Sequence, residues 1–195
     1  ASTARGSTGY GLVPELIREA FGLKMDIIYG YKSSSIPLAL EQGEAHASGG
    51  DLIGFFGGRP KAMLDEGKLK VLLQVAGKKA PQLEPYKTTW VMDVVPDSHR
   101  GLFAMVNPII DMARPYFAAP GVPADRTAIL RAGFAGLATD KAFQDEVRKA
   151  ASIDIDFLPG EKMAGGIKDM LDQPADVKKR VIGLLTSGKK KKKKK

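Results

Sequence analysis

The sequence predicts an α/β fold with right-handed crossovers, on three observations. Apolar residues recur at helical spacing in several segments, as in Leu12, Leu16, Ile17, Ala20 and Phe21. Short apolar runs, such as residues 69–75, stand between those segments and read as strands. Glycine and proline mark the joins, so helical and strand patterns alternate and two β-α-β units fit before residue 80.

The chain opens on small residues, ASTARGSTGYG, with no strand expected in front of the first helix. That helix is predicted over residues 12–21 and stops at Gly22. Pro14 has to lie in its first turn or kink it. Residues 24–31, KMDIIYGY, read as a strand. Ser33, Ser34 and Ser35 offer an N-cap to a helix reaching Leu40, which Gly43 ends. Residues 45–48 form a short strand candidate that runs into Gly49, Gly50 and Asp51. A helix over 60–66 closes at Gly67. Residues 69–75, LKVLLQV, are apolar on both faces and predict a central strand of a parallel sheet.

Residues 77–96 are proline-rich and irregular, with a helical turn expected around Trp90. A helix is predicted over 102–110, a short strand over 115–119, and a further helix starting near Pro123. Asp140 caps a helix over 141–151. Residues 153–157 alternate like an exposed strand, and helices over 161–171 and 175–185 make the C-terminal third mostly helical.

At 44% hydrophobic and 27% charged residues, a soluble globular protein is the default. No apolar run approaches the roughly 20 residues that span a bilayer, and no signal peptide is visible. Cysteine is absent, which excludes disulfides, thiolate metal sites and cysteine nucleophiles. Of the formal charge of +8, seven units are the lysines at 189–195; removing them leaves +1 for the rest of the chain. Such a block repels itself and is expected to be disordered. An appended tag is the simpler reading; a natural segment of this kind would bind any polyanion, with strong salt dependence.

Enzyme signatures are scarce. His46 and His99 are far apart and sit in neither a G-x-S-x-G nor an H-E-x-x-H context. Asp154 and Asp156 point the same way on their strand and could bind a cation, but a solvated edge is the expected reading. Gly183 to Lys189 matches G-x-x-x-x-G-K, yet Lys190 stands where a phosphate loop needs serine or threonine, and a helix precedes it instead of a strand.

The opening is better placed for binding. Gly6, Ser7 and Thr8 precede a helix, whose start offers unsatisfied N–H donors and a partial positive charge. Arg5 adds a planar fork suited to carboxylate or phosphate. Taken alone, this is an ordinary N-cap. Gly49, Gly50 and Asp51, however, end another strand candidate, and ligands of open α/β sheets sit at the carboxyl ends of strands. The two loops together suggest an oxyanion pocket, to which Ser33, Ser34 and Ser35 could add a third side.

Several stretches then fall into a familiar order. GSTGYG with PELI, LALEQGEAHASGG, LDEGKLKVLLQVAGKK, and RPYFAAPGVPADRTAILRAGFAGLATDKAFQDEV resemble the receptors of tripartite tricarboxylate transporters, the Bug-type extracytoplasmic solute receptors. The segment 119–131 is the most specific part, and the resemblance covers residues 1–186. It implies a type II periplasmic-binding-protein fold, no enzymatic activity and no cofactor. It further implies capture of a small organic acid between two α/β domains, followed by delivery to a membrane permease. Carried onto this chain, it places Thr3, Arg5, Gly6, Ser7 and Thr8 against the ligand carboxylate, with Gly49, Gly50 and Asp51 bordering the cleft. It also implies a periplasmic location.

The departure from the family is that its members carry about a hundred further residues in front, forming most of the first domain. Residues 1–111 then correspond to the second, ligand-binding α/β domain, 112–188 to the helical C-terminal part of a truncated first domain, and 189–195 to the lysine tail. One cleft wall is expected to be missing. Helix faces around Ile129, Phe134 and Phe143 are expected to lack their partner, which favours a homo-oligomer. The competing expectation is a structural or self-assembling protein that keeps the shortened fold without a ligand.

Overall fold

Residues 2–3, 9–112, 114–151, 154–155 and 157–191 are described by a computed structural model. The first part of the chain holds β1 (Ser2–Thr3), α1 (Gly9–Ala20), β2 (Ile28–Tyr29), α2 (Ile36–Glu41), α3 (Leu52–Phe56) and α4 (Gly58–Asp65). Then come β3 (Leu73–Gln74), a 3-10 segment (Pro81–Tyr86), β4 (Thr89–Trp90), α5 (Val91–Val94) and α6 (Asp97–Asp111). Helices α7 (Ala124–Leu137), α8 (Lys141–Ala151), α9 (Gly160–Leu171) and α10 (Ala175–Lys191) follow. The fold is mixed α/β and mostly helical.

The core is a junction of helices. Leu12, Leu16 and Ala20 recur every four residues on α1, so they share one face, and all are buried. They form one cluster with Leu102, Phe103 and Val106 of α6, Val181 of α10, and Val91 and Val95 at α5. Full burial of side chains of this size stabilises by about 1.5–3 kcal/mol each. Helix α9 packs on α6. The approach is close at Gly166, where an added Cβ would lie 3.3 Å from Pro108 Cβ.

Local chemistry explains the helix ends. Gly22 (φ +60°) and Gly67 (φ +69°) adopt the left-handed conformation that glycine accepts without strain. Beyond them, Leu23 N–H donates to Arg18 O at 3.0 Å and Lys68 N–H to Met63 O at 2.9 Å, satisfying carbonyls of the last turns. Asp140 caps α8 as predicted, its Oδ1 accepting from Phe143 N–H at 3.1 Å. Pro123 stands at the N-cap of α7, just outside the helix.

The strands are much shorter than their apolar runs. β1 pairs in parallel with β2, Ser2 opposite Ile28 and Thr3 opposite Tyr29, so a strand does stand in front of the first helix. β3 pairs in parallel with β4, Leu73 opposite Thr89 and Gln74 opposite Trp90. Among the described residues each sheet has two strands, and residues 69–75 are not a central strand there. Leu72 is 71% exposed, because apolar character alone cannot supply the neighbouring strands that would bury both faces. Residues 115–119 form no strand, and Tyr116 and Phe117 are 78% and 82% exposed. The described residues among 153–157 form none either, and the carboxylate of Asp154 pairs with Arg148 at 2.7 Å instead.

Two helices also differ in extent from the sequence reading. Pro14 lies in the interior of α1, beyond its first turn, because the helix starts at Gly9. Helix α10 continues through Gly188 into the lysine run as far as Lys191, whereas the whole run was expected to be disordered. Lysine has good helix propensity, and cations at a helix C-terminus are favoured by its dipole.

Candidate functional site

The residues after β2, the loop at 49–51 and the residues after β3 line one groove of about 4610 Å³. Small-molecule pockets hold roughly 300–1,000 Å³. The groove is therefore an open trough that a small ligand cannot fill unaided.

Of the candidate residues, Arg5, Gly6, Ser7 and Thr8 lie outside the described residues. Thr3 falls in β1, opposite Tyr29. Gly49, Gly50 and Asp51 all line the groove. Asp51 has extended backbone and caps α3, with Oδ1 accepting from Gly54 N–H at 2.7 Å. Gly50 passes so close to Phe55 that an added Cβ would lie 2.6 Å from the ring. Ser48 Oγ donates to Gly49 O at 2.8 Å. Ser33 and Ser34 are exposed on the groove in a 3-10 turn, and Ser35 Oγ donates to Lys32 O at 2.9 Å instead of capping α2.

The wall after β3 is the part that sequence reading missed. Gln74 is buried, donates from Nε2 to Thr88 Oγ1 at 2.9 Å and accepts from Ala80 N–H at 2.9 Å. The single tryptophan, Trp90, donates from Nε1 to Ala76 O at 2.9 Å. Lys79 lies 5.5 Å over the Trp90 ring and pairs with Asp93 at 2.7 Å. Gly77 N–H donates to both carboxylate oxygens of Asp111, at 3.0 and 3.2 Å. A glycine and two lysines directly after an apolar run were the available signal. Asp111 comes from 34 residues further on, so only the fold brings it in.

Several charges on or near the groove are paired. Arg59 bonds Glu41, which holds the Glu41 carboxyl below its usual range. Tyr31 donates to Glu44 Oε2 at 2.7 Å, and this bond to a carboxylate pushes its hydroxyl pKa up. Buried Glu15 accepts from both Arg18 and Tyr29.

The His99 ring lies 3.0 Å from the hydroxyl of its neighbour Ser98, on the first turn of α6. The stretch from Gly183 to Lys189 lies within α10, with no phosphate-loop geometry. Asp156 lies outside the described residues. Among the described residues no group of three or more histidines, cysteines or carboxylates is placed to hold a metal ion. Among them, too, no helix is long and apolar enough to cross a membrane.

The chain matches no family model, and no curated protein or solved structure matches it significantly.

Proposed function

We propose that this chain is a carboxylate-binding receptor of the tripartite tricarboxylate transporter type, built on the type II periplasmic-binding-protein plan. It works outside the cytoplasm, captures a small organic acid and passes it to a membrane permease without a chemical step. The observation that carries this reading is that residues on both sides of β2 and β3, those after their carboxyl ends included, line the same groove as Gly49, Gly50 and Asp51. Ligands of parallel α/β sheets gather at such strand ends, where backbone donors are free of ladder bonds.

A thermal melt against mono-, di- and tricarboxylates tests it. Ligand at about 100 times its dissociation constant adds roughly 2.7 kcal/mol, a rise of about 5–10 °C for a chain of this size. A cooperative melt that no acid moves would sink the proposal.

The exposed apolar side chains Tyr116, Phe117, Ile129 and Leu130 favour a second reading, a self-assembling protein without a ligand. Sedimentation separates the two. A monomer whose melt is moved by one acid class is a receptor, and an oligomer that ignores acids is a structural protein.

A further inference from the structure

Asp111 is the last residue of α6, where the helix dipole presents its negative end. A carboxylate is electrostatically disfavoured there. Among the described residues it is held by one backbone donor, Gly77 N–H, which both its oxygens share. That donor is held in place by its neighbours. Trp90 anchors Ala76, buried Gln74 anchors Ala80, and Lys79 is tied to Asp93. The loop therefore presents one preorganised N–H at the groove wall. Residue 77 must be glycine while Asp111 is in place, because a Cβ would overlap the carboxylate. Arg114 follows Asp111 by three residues, lines the same groove, and has no carboxylate partner among the described residues.

We infer that this is a carboxylate subsite: Gly77 N–H and the Arg114 guanidinium are its donors, and Asp111 is an internal stand-in that an organic acid displaces. The inference rests on the receptor reading above and deepens it. Exchanging one carboxylate for another at Gly77 is close to neutral, because the bond lost and the bond made are of the same kind. The gain comes from the planar, bidentate fork of Arg114. It comes also from moving the Asp111 charge out to water, away from the helix end. While Asp111 occupies the donor, the apparent affinity falls by the fraction of molecules in which it is displaced.

The test is titration calorimetry of the full chain with succinate, citrate and benzoate. Wild type is compared with Asp111→Ala, Asp111→Asn and the double variant Asp111→Ala/Arg114→Ala. Asp111→Ala is expected to bind at least one acid about tenfold more tightly, the range of one hydrogen bond to a charged group. The double variant is expected to lose that gain. If wild type binds an acid and Asp111→Ala binds it no better, the subsite is overturned and the receptor reading stands. The same holds if the double variant keeps the gain. If no acid binds any variant, both are overturned. Should Asp111→Ala fail to melt cooperatively, Asp111→Asn, which loses the charge but keeps an oxygen able to accept from Gly77 N–H, is expected to tighten binding by less than tenfold, and a folded Asp111→Asn that binds no acid better than wild type overturns the subsite.

Discussion

Arg180 of α10 and Glu19 of α1 form an ion pair, Nη2 to Oε1 at 2.6 Å, across 161 residues of chain. It marks where the C-terminal helix returns to the first one. The side chains are 40% and 33% exposed, so water and salt screen the pair. Arg180→Ala is expected to lower stability by less than about 1 kcal/mol. Phe103→Ala, which empties a fully buried position of the same core, is expected to cost about 3–5 kcal/mol. Urea denaturation of both variants checks the order; equal effects would mean that the helical junction is not the core.

Tyr29 on β2 joins the first sheet to α1 through Glu15, the buried carboxylate on that helix. Tyr29→Phe removes one donor from a charged acceptor and is expected to cost about 1.5–3 kcal/mol. A denaturation midpoint unchanged from wild type would show that the carboxylate finds other donors at no loss.

Two glycine substitutions should act in opposite directions. Gly133 lies inside α7 with open space where a Cβ would be added, so Gly133→Ala should stabilise by up to about 1 kcal/mol. Gly67 holds φ +69°, so Gly67→Ala should destabilise by about 1 kcal/mol or more. Melting temperatures that move the same way would contradict one of the two backbone assignments.

Stability should decline gently at both ends of the pH range. Hydrogen bonds from Arg59 and Lys68 hold the carboxyls of Glu41 and Glu66 below their ordinary range. Their contribution is present above the ordinary carboxylate pKa and lost as pH falls through the lowered folded values. The bond to Glu44 raises the Tyr31 hydroxyl, so its contribution holds below the ordinary phenol pKa. It is lost as pH rises through the raised folded value. Urea midpoints across pH should show a shallower acid limb in Glu41→Gln and a shallower alkaline limb in Tyr31→Phe. Unchanged limbs would rule out these groups as the source.

Tyr116 and Phe117 are the most exposed large apolar residues described, and Tyr116 stacks on Phe134 with ring centroids 4.8 Å apart. If this arm drives self-association, Phe117→Ser should shift sedimentation toward monomer at the same protein concentration. A wild type already monomeric at high concentration would remove the self-assembly reading.

Most of the helices, α3 excepted, were legible because their signals are local. The periodicity of Leu12, Leu16 and Ala20, the stops at Gly22 and Gly67, and the Asp140 cap each need only a few neighbouring residues. The strands were not, because a strand exists only where another chain segment supplies hydrogen bonds. KMDIIYGY and LKVLLQV carry the right composition, yet pairing reaches only Ile28, Tyr29, Leu73 and Gln74. The site divides in the same way. Gly49, Gly50 and Asp51 could be picked out as a small-residue loop, and they do line the groove. The contact of Gly77 with Asp111 and the bracing of its loop by Trp90 join residues that no local pattern links.

The sequence by itself therefore determined where most of the helices lie, and which loops are built of small residues. Those properties follow from backbone propensity and capping over a single turn. Only the tertiary structure decided that Val181 closes the core begun by Leu12, and that Asp111 meets the donor after β3. Such contacts depend on the direction in which each helix leaves its turn, and that direction is set by the packing of all of them together.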